Sequence, residues 1–391
     1  MTDPRIAAVG MSPLGRTELT GRDLFSAAMV EAFAGLPDPA DIVDAVYVGN
    51  QSESYEHQIM YGTLLAEWCG LRHVPAERVE GCAAAGALAL RHAVEDVRSG
   101  RRDAVLACGV EKMTAGGTAG ATNALSAAFD RALEQRSGVT APSQYALLAQ
   151  RYLHETDATE QDLARIAVKN HANAAANPRA QFQRETDVAT VLDSDYVAPP
   201  LKLFDCAPVT DGAAAVLVVS EDLAATLPGD DRDTVRIAGV GAGANNIAVA
   251  ERDLTFVEGA HEATTRAYEE AGVTPDDIDI AEVHDAFTIS EALLAEAAGL
   301  APRGRGYESA LPPAERSPGW TDTRLSTSGG LKARGHPIGA TGLAQAVEGY
   351  EQLTDTATTE RQVDGATTGL LVNEGGVADA VTVAHVLTTE P

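Results

Sequence analysis

Residues 78–100 read RVEGCAAAGALALRHAVEDVRSG. An acidic strand end meets Gly81 and Cys82, five of the smallest side chains follow, and the run continues as a helix stopped at Gly100. Residues 334–347, RGHPIGATGLAQAV, repeat the arrangement with His336 in place of the thiol. In each, a glycine-flanked reactive residue opens a helix of small residues. This pairing predicts a duplicated chain whose two turns face each other.

The surrounding elements extend the pattern. RIAAVG (5–10), DAVYVGN (44–50) and DAVLACGVEKM (103–113) read as apolar strands alternating with helices, the mark of an α/β protein with largely parallel strands. Residues 115–205 break the rhythm. One helix there starts after TAP at Pro142, and another runs from near Thr159 until Asn177–Pro178 stops it. The stretch reads as an inserted loop domain lying over the first half. DGAAAVLVVS (211–220) returns to a buried strand. From about residue 233 the order restarts with TVRIAGVGAG, a helix ending at Gly272, a strand running into EVHDAF, and two closing strands around a tight turn. The halves are set at residues 1–225 and 232–391.

Hydrophobic residues make up 45% of the 391, with 36 glycines and only 5% aromatics, so the core is packed from Ala, Val, Leu and Gly. No apolar run approaches the roughly 18 residues of a membrane span. The first residues, MTDPRIAAVG, lack the basic and apolar regions of a signal peptide, and LTTEP at the other end is no peroxisomal address. Cysteines 69, 82, 108 and 206 form no CxxC pair, which fits a reducing, cytoplasmic setting. Against 57 Asp+Glu stand 29 Lys+Arg, a net charge of −28, which repels nucleic acid and anionic membrane. Such a scattered acidic, lysine-poor surface suits a halophilic protein held soluble in concentrated salt.

Four positions carry the candidate chemistry. A thiol at a helix start faces unpaired N–H groups and a favourable dipole, so Cys82 is expected below the usual pKa of about 8.5 and nucleophilic. A buried cysteine is otherwise an inert small hydrophobe. His336, on a turn stiffened by Pro337 and glycines, is placed to take a thiol proton, where a surface loop histidine would need no such backbone. His284 stands at a strand end, free to hydrogen-bond a carbonyl or its water, or to be satisfied by Asp285; Thr288 and Glu291 read as the capping box of the next helix. VNEGGVA (372–378) offers Asn373 and main-chain N–H groups at its glycines for an oxyanion, or a plain turn. There are no close-spaced metal ligands, no GxGxxG and no GxxxxGK[ST], so neither a metal nor a nucleotide cofactor is indicated.

Taken together, EGCAAAG, GVEKM, FDCAPVTDGAAAVLVVS, HDAF, GHPIGATG and NEGG, in this order over nearly the whole chain, resemble the thiolases. HDAF and FDCAPVTDGAAA resemble the sterol-carrier-protein-type and archaeal branch. The resemblance implies thiolase-like duplicated αβαβα layers with an inserted loop domain. It also implies a homodimer or homotetramer acting on acyl-CoA and coenzyme A, with no permanently bound cofactor. In its two-step Claisen chemistry Cys82, activated by His336, becomes acylated and then accepts a carbanion from a second acyl-CoA. His336 and a water on His284 would hold the enolate oxygen, and the N–H groups of Cys82 and Gly375 the tetrahedral oxyanion. One departure stands out: the second cysteine expected of the family is replaced by Asn373 and Ala286, leaving the α-proton without an assigned base. Two other readings follow from that gap: an acyl-CoA-binding subunit dependent on a small OB-fold partner, or a ketoacyl-synthase-like condensing enzyme.

Overall fold

The computed structural model describes residues 2–228 and 234–389. The expected junction between residues 225 and 232 runs into residues outside the described ones, as do Met1 and the final Glu390–Pro391. The strands are β1 (Pro4–Met11), β2 (Ala45–Gly49), β3 (Ala76–Val79), β4 (Ala104–Lys112), β5 (Tyr196–Ala198), β6 (Leu201–Lys202), β7 (Asp211–Ser220), β8 (Val235–Ala244), β9 (Ile280–Glu282), β10 (Arg324–Leu325), β11 (Thr368–Gly375) and β12 (Val381–Thr388). Apart from the β5–β6 ribbon they form one sheet in the order β10-β9-β11-β12-β8-β1-β7-β4-β2-β3.

That order is a duplication. Outward from the β1–β8 seam the first half runs β1-β7-β4-β2-β3 and the second β8-β12-β11-β9-β10. Counted within each half, both are 1-5-4-2-3. The strands are mixed in direction rather than largely parallel. β2 is parallel to β3 and β4, and β9 to β10 and β11, but β7 and β12 run antiparallel to both their neighbours. β12 returns from β11 through a short turn, and a tight turn can only reverse direction. Both faces of the sheet are covered, so β7 and β11 are apolar without alternation and hide their direction from the sequence.

The covering helices give the layers. The Gly21–Ala32 and Tyr61–Trp68 helices close the outer face of the first half with Leu24, Phe25 and Leu65. The Ala85–Arg98 and Thr341–Leu353 helices lie in the middle, where Leu90, Val94, Leu343 and Val347 join one core with strands of both halves. The Glu258–Ala271 and Thr288–Ala297 helices close the far side. The sequence of layers is αβαβα.

The inserted segment contains the two anticipated helices, Ala141–Glu155 and Glu160–Ala175, started at Thr140 and Thr159. Ala121 and Ala124, early in the segment, lie against Tyr55 and Ala83 of the first half as expected, but the two helices pack on the second half. Tyr145 stacks on Phe287 with centroids 4.3 Å apart, and Tyr152 donates to Glu296 at 2.5 Å. Lys169 pairs with the buried Glu291 at 2.7 Å. These polar and aromatic anchors are scattered in sequence, so no local pattern announced them. They also undo the expected capping box. Glu291 is taken by Lys169, Asn170 and Ser309, Thr288 donates to Asp205 at 2.7 Å, and Phe287 is the uncapped start of that helix.

Candidate active site

The two small-residue turns meet at the centre. A Cβ on Gly86 or Gly109 would fall 2.7 or 2.4 Å from the Gly339 carbonyl, closer than any real side chain approaches. Only glycine lets these backbones touch. Buried Glu111 ties the contact, accepting from Asn50 Nδ2 at 2.8 Å, Gln51 N at 2.7 Å and Gly339 N at 3.0 Å. Desolvation pushes its pKa up to about 8 against those hydrogen bonds. From the second half, fully buried Arg334 donates to Ser328 and to the Ala344 carbonyl beside Glu282. The GHP turn is thereby held from both sides.

Cys82 opens a short 3₁₀ turn, Cys82–Ala84, ahead of the Ala85–Arg98 helix, with φ +51°. A cysteine in this left-handed region is strained, and the packed turn holds it there. Its thiol is not lowered as expected. Burial pushes it up to about 11, while the backbone N–H groups of Gly376 and Ala83 oppose the shift. Desolvation outweighs the helix start, so this thiol needs a base to ionise. Its own N–H donates to Glu80 Oε1 at 2.7 Å. On the NEGG turn the N–H reaching the sulfur belongs to Gly376 rather than Gly375. Gly375 is the last residue of β11 and packs on the Gly81 carbonyl.

The two histidines lie edge to face, centroids 5.0 Å apart. Burial drives both pKa values down, His336 to about 3, so both rings are neutral. Their partners assign the protons oppositely. His336 Nδ1 is 2.7 Å from Thr341 Oγ1, whose single hydrogen is donated to the Pro337 carbonyl at 3.1 Å. With the hydroxyl hydrogen on that carbonyl, both contacts are satisfied together when Thr341 accepts from Nδ1–H, which leaves the lone pair on His336 Nε2. His284 Nδ1 lies 2.8 Å from Asn373 Nδ2, an amide that only donates. The proton of His284 is then on Nε2. One ring offers a base and the other a donor.

Asn373 itself is buried and does not reach the cavity these groups line, so it positions His284 instead of binding an oxyanion. That cavity, about 330 Å³, is walled by Cys82, His284 and His336 together with Met113, Leu125, Tyr145, Phe287 and Ile338. Sequence reasoning brought Cys82, His284 and His336 to one place. It offered the glycine pair of NEGG but singled out Gly375 where the structure uses Gly376, and it missed the roles of Glu80, Glu111 and Thr341, of which only Thr341, one helical turn after Pro337, carried a local signal. Among the described residues no group of His, Cys, Asp and Glu is gathered for a metal, and no helix is long and apolar enough to cross a membrane.

The fold is a duplicated αβαβα arrangement, and its central cavity gathers one thiol and two imidazoles. Comparison with known proteins names the family. Residues 5–222 match the thiolase N-terminal domain and residues 241–389 the thiolase C-terminal domain-like family. The chain belongs to the thiolase family and is an acyltransferase of that type. It is 39% identical, over 98% of its length and 99% of the relative's, to a protein of Methanothermobacter thermautotrophicus named acetyl-CoA acetyltransferase. It is 30% identical to sterol carrier protein 2 of Bos taurus, over 95% of this chain and 69% of that one. Among solved structures it shares the fold of one titled Ltp2-ChsH2(DUF35) aldolase, with TM-score 0.80, 23% identity and coverage of 99% and 97%.

Proposed function

We propose that the protein is an acyl-CoA C-acyltransferase that makes or cleaves 3-oxoacyl-CoA through an acyl group carried on Cys82, with acetyl-CoA among its substrates. The observation that carries this reading is one cavity lined by a thiol and two imidazoles whose Nδ1 atoms have opposite kinds of partner, a hydroxyl oxygen and an amide nitrogen. His336 Nε2 takes the Cys82 proton as the sulfur attacks a thioester carbonyl. The tetrahedral intermediate collapses, coenzyme A leaves with the proton returned by His336, and Cys82 is acylated. Oxyanion stabilisation needs donors already in place. The Cys82 and Gly376 N–H groups suit the acyl oxygen, with exposed Glu80 moving off the first of them. His284 Nε2–H suits the oxygen of the second thioester, where an enolate develops.

The relative of Methanothermobacter thermautotrophicus, named acetyl-CoA acetyltransferase, supports acetyl-CoA as a substrate. The resemblance to a structure solved together with a DUF35 chain keeps a second subunit as the alternative.

The test is intact mass after incubation with acetyl-CoA in molar salt, acid-quenched and peptide-mapped. An acetyl group on the Cys82 peptide, absent from Cys82→Ala, is expected. A folded chain left unmodified would overturn catalysis by this chain alone.

A further inference from the structure

Acyl transfer to Cys82 leaves the α-proton of the second thioester without a base. Claisen chemistry needs a group that exchanges a proton with the α-carbon of the second thioester. The titratable side chains lining the cavity are Cys82, His284, His336, Tyr145 and Cys206. Cys82 carries the acyl group, His336 serves that sulfur, and His284 presents an N–H rather than a lone pair. Tyr145 accepts from Ala378 N at 2.8 Å, and burial holds its hydroxyl protonated. Cys206 is left.

Its placement is fixed by backbone. Cys206 forms an antiparallel bridge with Phe287, and Ala207 N donates to the Ala286 carbonyl at 2.9 Å. Three residues on, Val209 bridges His336. One short segment is thus laced to the chain at Ala286–Phe287, two to three residues after His284, and at His336, with Cys206 opposite Phe287. A thioester whose oxygen sits on His284 Nε2–H carries its α-carbon two bonds from that oxygen, in the cavity that Cys206 also lines.

A second feature is independent of the first. Lys332, on the turn leading to GHP, is 2% exposed, and its ammonium lies over the rings of Phe204 and Phe182, 5.7 and 5.9 Å from their centroids. Among the described residues this ammonium has no hydrogen bond and no carboxylate within 4 Å. A buried ammonium is costly without an anion nearby. Burial lowers its pKa to about 8, and of the groups that raise it again Cys206 is foremost, ahead of Asp285 and Asp205. Cys206 itself is a thiol at rest, pushed up to about 12 by burial and Asp205 against the pull of Lys332, and it donates to the Lys202 carbonyl at 3.4 Å.

We propose that Cys206 exchanges the proton with the α-carbon, and that the Lys332 ammonium holds the thiolate formed. This rests on the acyl-transfer reading. In thiolysis Cys82 adds to the 3-oxo carbon and the C2–C3 bond breaks, its electron pair passing to C2 as an enolate held by His284. Cys206 S–H protonates C2, and its bonding pair stays on sulfur as a thiolate beside Lys332. Coenzyme A then takes the acyl group from Cys82, its thiol proton restores Cys206, and His336 returns to the freed Cys82 sulfur the proton it took at the start. Condensation is the reverse: the thiolate removes the α-proton and the enolate carbon attacks the Cys82 thioester.

The test separates the half-reactions in the purified chain. Cys206→Ala and Cys206→Ser should acetylate Cys82 from acetyl-CoA within about threefold of the native rate. Both should lose thiolysis of acetoacetyl-CoA, and deuterium uptake into the methyl group of acetyl-CoA in D₂O, by about 10²–10⁴-fold. Lys332→Met should show the same split more weakly. Thiolysis within tenfold of native in either cysteine variant would overturn the assignment. So would acylation falling together with thiolysis. If the native chain fails to acetylate Cys82, the acyl-transfer reading fails first, a result distinguishable from either.

Discussion

The two halves of the molecule share one strand order and one strand–turn–helix, yet the first presents a sulfur and the second an imidazole. The difference lies in what each turn is tied to. Cys82 sits at positive φ and receives N–H groups from its own turn and from Gly376 of the other half. His336 is oriented within its own half, through Thr341, and anchored by Thr210 Oγ1, which accepts from its backbone N at 2.9 Å. Duplication supplied two matched helix starts at a common seam. Specialisation came from the partners each turn meets, a backbone N–H from across the seam for the sulfur and a hydroxyl of its own half for the imidazole. The comparison also shows that burial dominates both turns, raising the thiol and lowering the imidazole, so that proton transfer between them needs a positioned pair.

Removing one side of the pair should break the comparison most. Cys82→Ala is expected to lower thiolysis by at least about 10³-fold with little change in the unfolding midpoint, measured in the same high-salt buffer. His336→Ala should cost about 10²–10⁴-fold in the acylation rate, read by quenched mass. Thr341→Val, which leaves the ring without its acceptor, should retain more activity than His336→Ala.

The other imidazole sharpens the contrast. Asn373→Asp places an acceptor where a donor stood, so His284 Nδ1 must carry a proton, either by exchanging tautomers or by becoming an imidazolium. Condensation should fall by about tenfold or more while Cys82 acylation persists. The pH profile checks the same logic. In the native chain His336 is protonated only near pH 3, so falling pH does not remove its lone pair between 8 and 5. The acylation rate should therefore show no histidine-like loss near 6.5, and an inflection there would contradict a neutral, buried base.

The smallest effects concern the scaffold. Gly109→Ala drives a methyl group into the Gly339 carbonyl and should destabilise by about 1–3 kcal/mol, measured by denaturant unfolding. At low ionic strength the net charge of −28 should unfold the chain, and molar salt should restore it.

Much of this was legible along the chain. The alternation of strands and helices, the glycine stops at Gly100 and Gly272, and the starts at Thr140 and Thr159 are local signals, since backbone conformation and caps depend on near neighbours. The matched turns at Cys82 and His336 disclosed the duplication because a close backbone approach admits only glycine and alanine. Strand direction was not legible, because strands buried on both faces carry no alternation.

What only the tertiary structure decided were properties set by groups far apart in sequence. The two inserted helices lie on the second half because Tyr145, Tyr152 and Lys169 find Phe287, Glu296 and Glu291 there. The thiol is raised rather than lowered because other segments exclude water from it. The tautomers of His284 and His336 follow from Asn373, 89 residues away, and from Thr341, five residues away. By itself the sequence determined which residues could react. Burial and hydrogen-bond partners, which exist only once the chain has closed on itself, decided the charge and proton each one carries.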